Sequence, residues 1–205
     1  ALIEYVRKSA NPVIKIVESN HWIASADQEF RKLGYTDLAR KLDVELVNLS
    51  TDKLLEVEVE GNYFKVFEAP QTLLTATKII SISPLKTHMQ YKMTCSMKNL
   101  FGLIPSRSKS KFHPYMNEVL FDVNKLFNPC LCIVDANIAM EGLGPADGFP
   151  RQIGVLIAGN NTLATDTVAA LVLGFNPKSI PYLKYAEKHS FGSSKEISVL
   201  GEPLN

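Results

Sequence analysis

A chain of 205 residues, 46% hydrophobic and with a formal net charge of +1, is long enough to bury a core and too neutral to be a general polyanion-binding surface. Mean hydropathy is near zero and no apolar run approaches the about 18 residues of a membrane span, so the chain is expected to be soluble, with no membrane partner. The start, Ala1-Leu2-Ile3-Glu4-Tyr5, has no basic lead and no small-residue cleavage site after an apolar stretch; it reads as part of a longer chain and not as a signal peptide.

Residues 13–18 and 44–49 are short β-branched or apolar runs. Between them Ser25 is placed to cap a helix through Lys41, with Glu29 too late for a strict capping box and Gly34 a weak point that would split it. Such a β-α-β unit is expected to be right-handed and parallel. Leu55, Val57 and Val59 then alternate with Glu56, Glu58 and Glu60 before a turn at Gly61-Asn62, which predicts a hairpin over 54–67 with one wet face.

Residues 78–82 predict a buried strand ended by Pro84, and 114–127 a helix. Strands are expected at 131–134, closed by Asp135, and at 152–158, followed by a helix over 163–173 that Gly174 and Pro177 stop. Pro181 can begin a last helix through His189, and 197–200 would close the sheet. The fold class expected is α/β: one domain over residues 1–205, with a central, largely parallel mixed sheet flanked by helices, plus a hairpin.

Charge is unevenly placed along this frame. Between Ala69 and Asn117 there is no Asp or Glu, but there are Lys78, Lys86, Lys92, Lys98, Arg107, Lys109 and Lys111, plus His88 and His113. A local positive field of this kind suits an anionic ligand. Lys86-Thr87-His88 follows a strand, and Lys98-Asn99 with Gly102 comes soon after, a set that can cradle phosphate or carboxylate through lysine charge, the Asn99 amide and close backbone approach at Gly102. His88 is the expected proton carrier, on the basis of an unperturbed pKa of about 6.5. The polar stretch 106–111 is expected to be a mobile lid.

A second constellation runs from Asp135 through Glu141-Gly142-Leu143-Gly144-Pro145 to Asp147 and Pro150. It reads as a shaped loop in which Gly142 and Gly144 contact ligand, while Asp135 and Glu141 serve as a catalytic base or, with Asp166, hold a divalent metal. The bland alternatives stay open: Asp135 closing a turn, Glu141 pairing with a lysine, Asp166 answering a helix dipole. Cys95, Cys130 and Cys132 are too few for a disulfide framework, which points to a reducing, cytoplasmic setting, and their apolar neighbours suggest structural thiols.

Taken in order, Lys86-Thr87-His88, Thr94 through Gly102, Glu141 through Pro145 and Ala164-Thr165-Asp166 resemble the domain of unknown function 362 family, from about the first strand to Gly201. The resemblance implies an uncharacterised prokaryotic α/β domain, often described as iron–sulfur related because many members carry an appended cysteine-rich, ferredoxin-like segment. That segment is not in this sequence, so no iron–sulfur cluster is expected on the chain, and a redox role would need a partner protein or a further part of the gene.

The function expected is an enzyme-like domain binding an anionic small molecule, with or without a divalent metal. The alternative is a non-catalytic module docking to a redox or iron–sulfur partner. Nucleic acid is not expected as a partner, because the total charge is only +1 and the basic segment lacks regular stacking aromatics.

Overall fold

A computed structural model describes residues 1–9 and 12–202. Its chain forms two compact units: a smaller one of Ala1–Val57, Glu68–Thr75 and Gly102–Lys111, and a larger one of Glu58–Phe67, Ala76–Phe101 and Phe112–Asn205.

The smaller unit begins with α1 (Leu2–Ser9) and then β1 (Lys15–Glu18). The helix expected after Ser25 is split at Gly34, φ 78°, into α2 (Ala26–Lys32) and α3 (Tyr35–Leu42). Its capping box does close, through Gln28 in place of Glu29: Gln28 N–H donates to Ser25 Oγ at 3.2 Å, and Ser25 N–H donates to Gln28 Oε1 at 2.9 Å. β2 (Glu45–Asn48) pairs in parallel with β1, as the β-α-β pattern requires.

Past the ends of these two strands a small buried network forms. Asn20 Oδ1 accepts from Ala26 N–H and Asn48 Nδ2, and Asn48 Nδ2 also donates to Asp27 at 2.6 Å. The hairpin expected over 54–67 is β3 (Leu54–Glu58) with β4 (Val66–Pro70), and the short helix α4 (Gln71–Thr75) follows.

The larger unit is built on a mixed sheet of β5 (Ile80–His88), β6 (Lys92–Thr94), β7 (Leu131–Leu143) and β8 (Asp147–Gly159), in the order β6-β5-β7-β8. β5 and β7 are parallel, whereas β6 and β8 join as antiparallel hairpin partners. The stretch expected to be a loop, from Asp135 to Pro150, is instead the long β7–β8 hairpin, turning only at 144–146. Its glycines therefore serve strand approach as well as the turn. The strand expected over 197–200 does not form, and those residues lack regular structure.

Four helices belong to this unit: α5 (Ser96–Asn99), α6 (Met116–Leu126), α7 (Thr162–Val172) and α8 (Pro181–Lys188). Leu85, Val134, Ala136, Ala139 and Ile157 on one face of the sheet pack with Met116 and Leu120 of α6, Leu163 and Ala170 of α7, and Tyr182 and Leu183 of α8. Alternation leaves Ile82 and Leu156 exposed on the other face. Asn161 Oδ1 caps α7 by accepting from Ala164 N–H at 2.9 Å, and Gly174, φ 74°, ends it.

Candidate functional site

The basic residues come together at the β5–β6 hairpin. Lys86 lies opposite Thr94 and His88 opposite Lys92, with a turn at 89–91 between the strands. α5 follows β6 directly and carries Lys98. The His88 and Tyr91 rings are 4.9 Å apart, and Lys98 Nζ lies 5.6 Å from the ring centres of both Tyr91 and Phe101. His113 stacks on Phe101 with 6.3 Å between ring centres, and its carbonyl accepts from the Tyr91 hydroxyl at 3.0 Å.

The electrostatics of this cluster are one-sided. Burial lowers the pKa of His88 most, and Lys98, His113 and Lys86 lower it further, to about 4. His113 is lowered by burial and by Lys98, and Lys86 by burial. The value of about 6.5 expected from sequence therefore does not hold, and His88 is a neutral imidazole at neutral pH. Its Nδ1 accepts from Gln90 N–H at 3.2 Å, which assigns the ring proton to Nε2. The ring thus offers a donor, and it gains basicity when an anion offsets the surrounding charge.

Asn99 has a different task from the one expected. Its Nδ2 donates to the Ser81 side-chain Oγ at 3.1 Å and to Ile82 O at 3.2 Å, so it satisfies one β5 carbonyl that β6 does not reach. Gly102 lies in the smaller unit, where a Cβ would come within 2.7 Å of Glu18 Oε1.

The smaller unit has its own polar cluster around that carboxylate. Glu18 accepts from Ser19 N–H at 2.8 Å. Although the residue is exposed as a whole, crowding of its carboxyl raises the pKa, opposed by the Ser19 bond, Lys109 and His21. Lys109 Nζ donates to Ser19 Oγ at 2.5 Å, and burial lowers its pKa to about 8. The stretch 106–111, expected to be a mobile lid, makes this contact through Lys109.

The acidic motif lies beside the basic one on the neighbouring strand, but its carboxylate does not face the cations. Lys86 lies opposite Met140 on β7, so strand alternation turns Glu141 to the face shared by Thr87, away from Lys86 and His88. Thr87 Oγ1 donates to Gly142 O at 2.8 Å, and a Cβ on Gly144 would collide with Thr87 O. Gly142 and Gly144 therefore permit β7 to lie close against β5. Asp135 is exposed and accepts from Asn137 N–H at 2.9 Å, beside a bulge in β7.

Asp166 is fully buried on α7, where its Oδ2 accepts from Met97 N–H of α5 at 3.1 Å and from the Tyr182 hydroxyl at 3.4 Å. Among the described residues, no group of three or more His, Cys, Asp and Glu side chains is arranged to hold a metal ion. Asp135, Glu141 and Asp166 form no such set.

The three cysteines are fewer than the four thiolates that commonly hold an iron–sulfur cluster. Burial, with the Asp166 carboxylate next, pushes both the Cys95 and Cys132 thiols up, and Cys130 is exposed.

Tyr91 and Phe101 were not legible as site residues, since a single aromatic near a lysine has no distinguishing spacing. Asp122 of α6 was missed as well. It is buried and accepts from the backbone N–H groups of Asn62, Tyr63 and Phe64 at 2.7, 2.8 and 2.9 Å.

These features define an α/β protein whose larger unit carries a compact cationic and aromatic cluster at the end of a mixed sheet. The chain belongs to the family described as Domain of unknown function (DUF362), which it matches over residues 1–171. It is also 30% identical, over 179 residues, to the Thylakoid-associated protein sll1697 of Synechocystis sp. (strain ATCC 27184 / PCC 6803 / Kazusa). That alignment covers 84% of this chain and 54% of the relative, so the chain spans about half the relative's length. No solved structure matches it. Among the described residues, no helix is long and apolar enough to cross a membrane.

Proposed function

We propose that the larger unit binds an anionic small molecule at the cluster of Lys86, His88, Lys98 and His113. One observation carries the reading. Burial lowers the His88 pKa most, and among the described residues the charged neighbours that lower it further, Lys98, His113 and Lys86, are all cationic, a local field that a bound phosphate or carboxylate would offset. Lys86 and Lys98 supply charge, His88 donates from Nε2, and the Tyr91 and Phe101 rings wall the site.

If the bound anion is also a substrate, His88 accepts a proton only once the anion is in place, since its basicity depends on the neutralised field. Asn99, Glu141, Asp135 and Asp166 stand outside this arrangement. A second reading, a non-catalytic module docking to a redox or iron–sulfur partner, draws support from Ile82 and Leu156 on the uncovered sheet face. A cytoplasmic setting suits the unpaired thiols, and the thylakoid association in the relative's name suggests work beside a membrane.

Titration calorimetry with inorganic phosphate tests the anion reading. Lys98→Ala is expected to weaken phosphate about ten- to a hundredfold, the cost of a charge-assisted hydrogen bond, with the melting temperature little changed. Equal affinity in the two proteins would remove Lys98, and the site built around it, from the reading.

A further inference from the structure

The cations of the larger unit act on one ring. After burial, Lys98, His113 and Lys86 all lower the pKa of His88, and Lys98 acts on His113 as well, so their fields overlap in one place. Backbone geometry explains the convergence. Lys86 and His88 are two residues apart on β5 and share a face of the strand, while α5 brings Lys98 Nζ to 5.6 Å from the centre of the Tyr91 ring, itself 4.9 Å from that of His88. Cations gathered in one place suit a ligand whose own charge sits on one group, and not one that divides it between two ends.

The size of that charge can be counted. His88 is neutral at neutral pH and His113 is lowered too, which leaves half-buried Lys86 and Lys98 as the fixed charges, with exposed Lys92 opposite His88 at the margin. Whatever else the two lysines touch, both act on the ring as cations. The carboxylates of neighbouring elements are turned elsewhere: Glu141 of β7 to the face of Thr87, and Asp166 of α7 to Met97 N–H. A monoanion matches one of the two lysines. A dianion matches both and leaves the His88 Nε2 proton to be donated to it.

Tyr91 gives its hydroxyl to the His113 carbonyl at 3.0 Å, so it offers a ligand its ring and not a donor. With Phe101 it supplies an apolar wall for whatever carries the charged group.

We propose that the group bound at this cluster is a single doubly charged oxyanion, the terminal phosphate of a small phosphomonoester, and that Lys86 selects it over singly charged acids. This rests on the anion reading of the same cluster and adds the charge and shape of what is bound.

The test is titration calorimetry at pH 7 with sulfate and perchlorate, which are both tetrahedral but carry two charges and one. Losing Lys86 costs a dianion twice the free energy it costs a monoanion at the same distance, and so the square of the factor in affinity. Lys86→Met is therefore expected to weaken sulfate about ten- to a hundredfold and perchlorate only about three- to tenfold. Comparing the ratio of the two affinities between proteins cancels the unequal hydration of the free ions. That ratio should fall at least about threefold in Lys86→Met and be kept in Lys86→Arg, which retains the charge. Succinate, with the same charge split between two ends, is expected to bind the wild type at least about tenfold more weakly than sulfate.

An unchanged ratio in Lys86→Met, including the loss of both ions together, or succinate binding as tightly as sulfate, would overturn the assignment and leave the anion site standing. If phosphate, sulfate and perchlorate all fail to bind the wild type, the anion site itself falls, and this proposal with it.

Discussion

Replacing Asp122 with alanine is expected to destabilise the protein by about 3–5 kcal/mol, a large share of what holds a domain of this size together. The carboxylate sits buried on α6 and accepts three successive backbone N–H groups, from Asn62, Tyr63 and Phe64, in the larger unit. Those donors follow Gly61, where a Cβ would collide with Asp122 Oδ2, so the turn and the carboxylate are fitted to each other. Alanine leaves the donors without an acceptor, and their desolvation is then uncompensated. Asp122→Asn keeps one carbonyl oxygen and should lose roughly half as much. Urea denaturation reads the difference, and a loss below about 1 kcal/mol for alanine would show that water or a shifted turn takes over the donors.

Asp166 is expected to give the fold a pH dependence that asparagine removes. Burial raises its pKa from 3.8 to about 7, although the N–H groups of Met97 and Ser96 and the side chains of Cys95 and Tyr182 oppose the shift. The folded state therefore holds this proton more tightly than the unfolded chain does. Stability from this group is fully present below about pH 4, falls as pH rises toward 7, and is level above that. About three pH units of differential binding correspond to a loss on the order of 4 kcal/mol.

His88, lowered to about 4, acts in the opposite sense, losing stability as pH falls from 6.5. The comparison of wild type with Asp166→Asn cancels that contribution. Denaturation curves at acidic and neutral pH should converge on the acid side and separate toward pH 7, with the variant the more stable. Parallel dependence in the two proteins would mean that Asp166 is ionised in the fold at all these values.

The elements were legible where local chemistry is decisive. Gly34 splits a helix, Gly174 ends another, and β-branched runs at 15–18 and 45–48 pair in parallel as expected. The path from Asp135 to Pro150 was misread because glycine and proline dominate it. Turn residues within a hairpin that packs on a neighbouring strand look, one residue at a time, like a loop. The basic half of the site followed from the missing acidic residues between 69 and 117, a signal that survives without structure. Its aromatic walls, and the separation of Glu141 from Lys86, depend on strand facing and on a bulge between Pro84 and Lys86, neither of which spacing alone encodes.

The most direct test of the anion site is the pKa of His88, followed by nuclear magnetic resonance of its Cε1–H with and without saturating phosphate. The free protein should show a midpoint near 4, set by burial first and by the cations around the ring second, and phosphate should raise it by offsetting their field. A free-protein midpoint near the ordinary 6.5, or one that phosphate leaves unmoved, would contradict a cationic anion-binding site at His88.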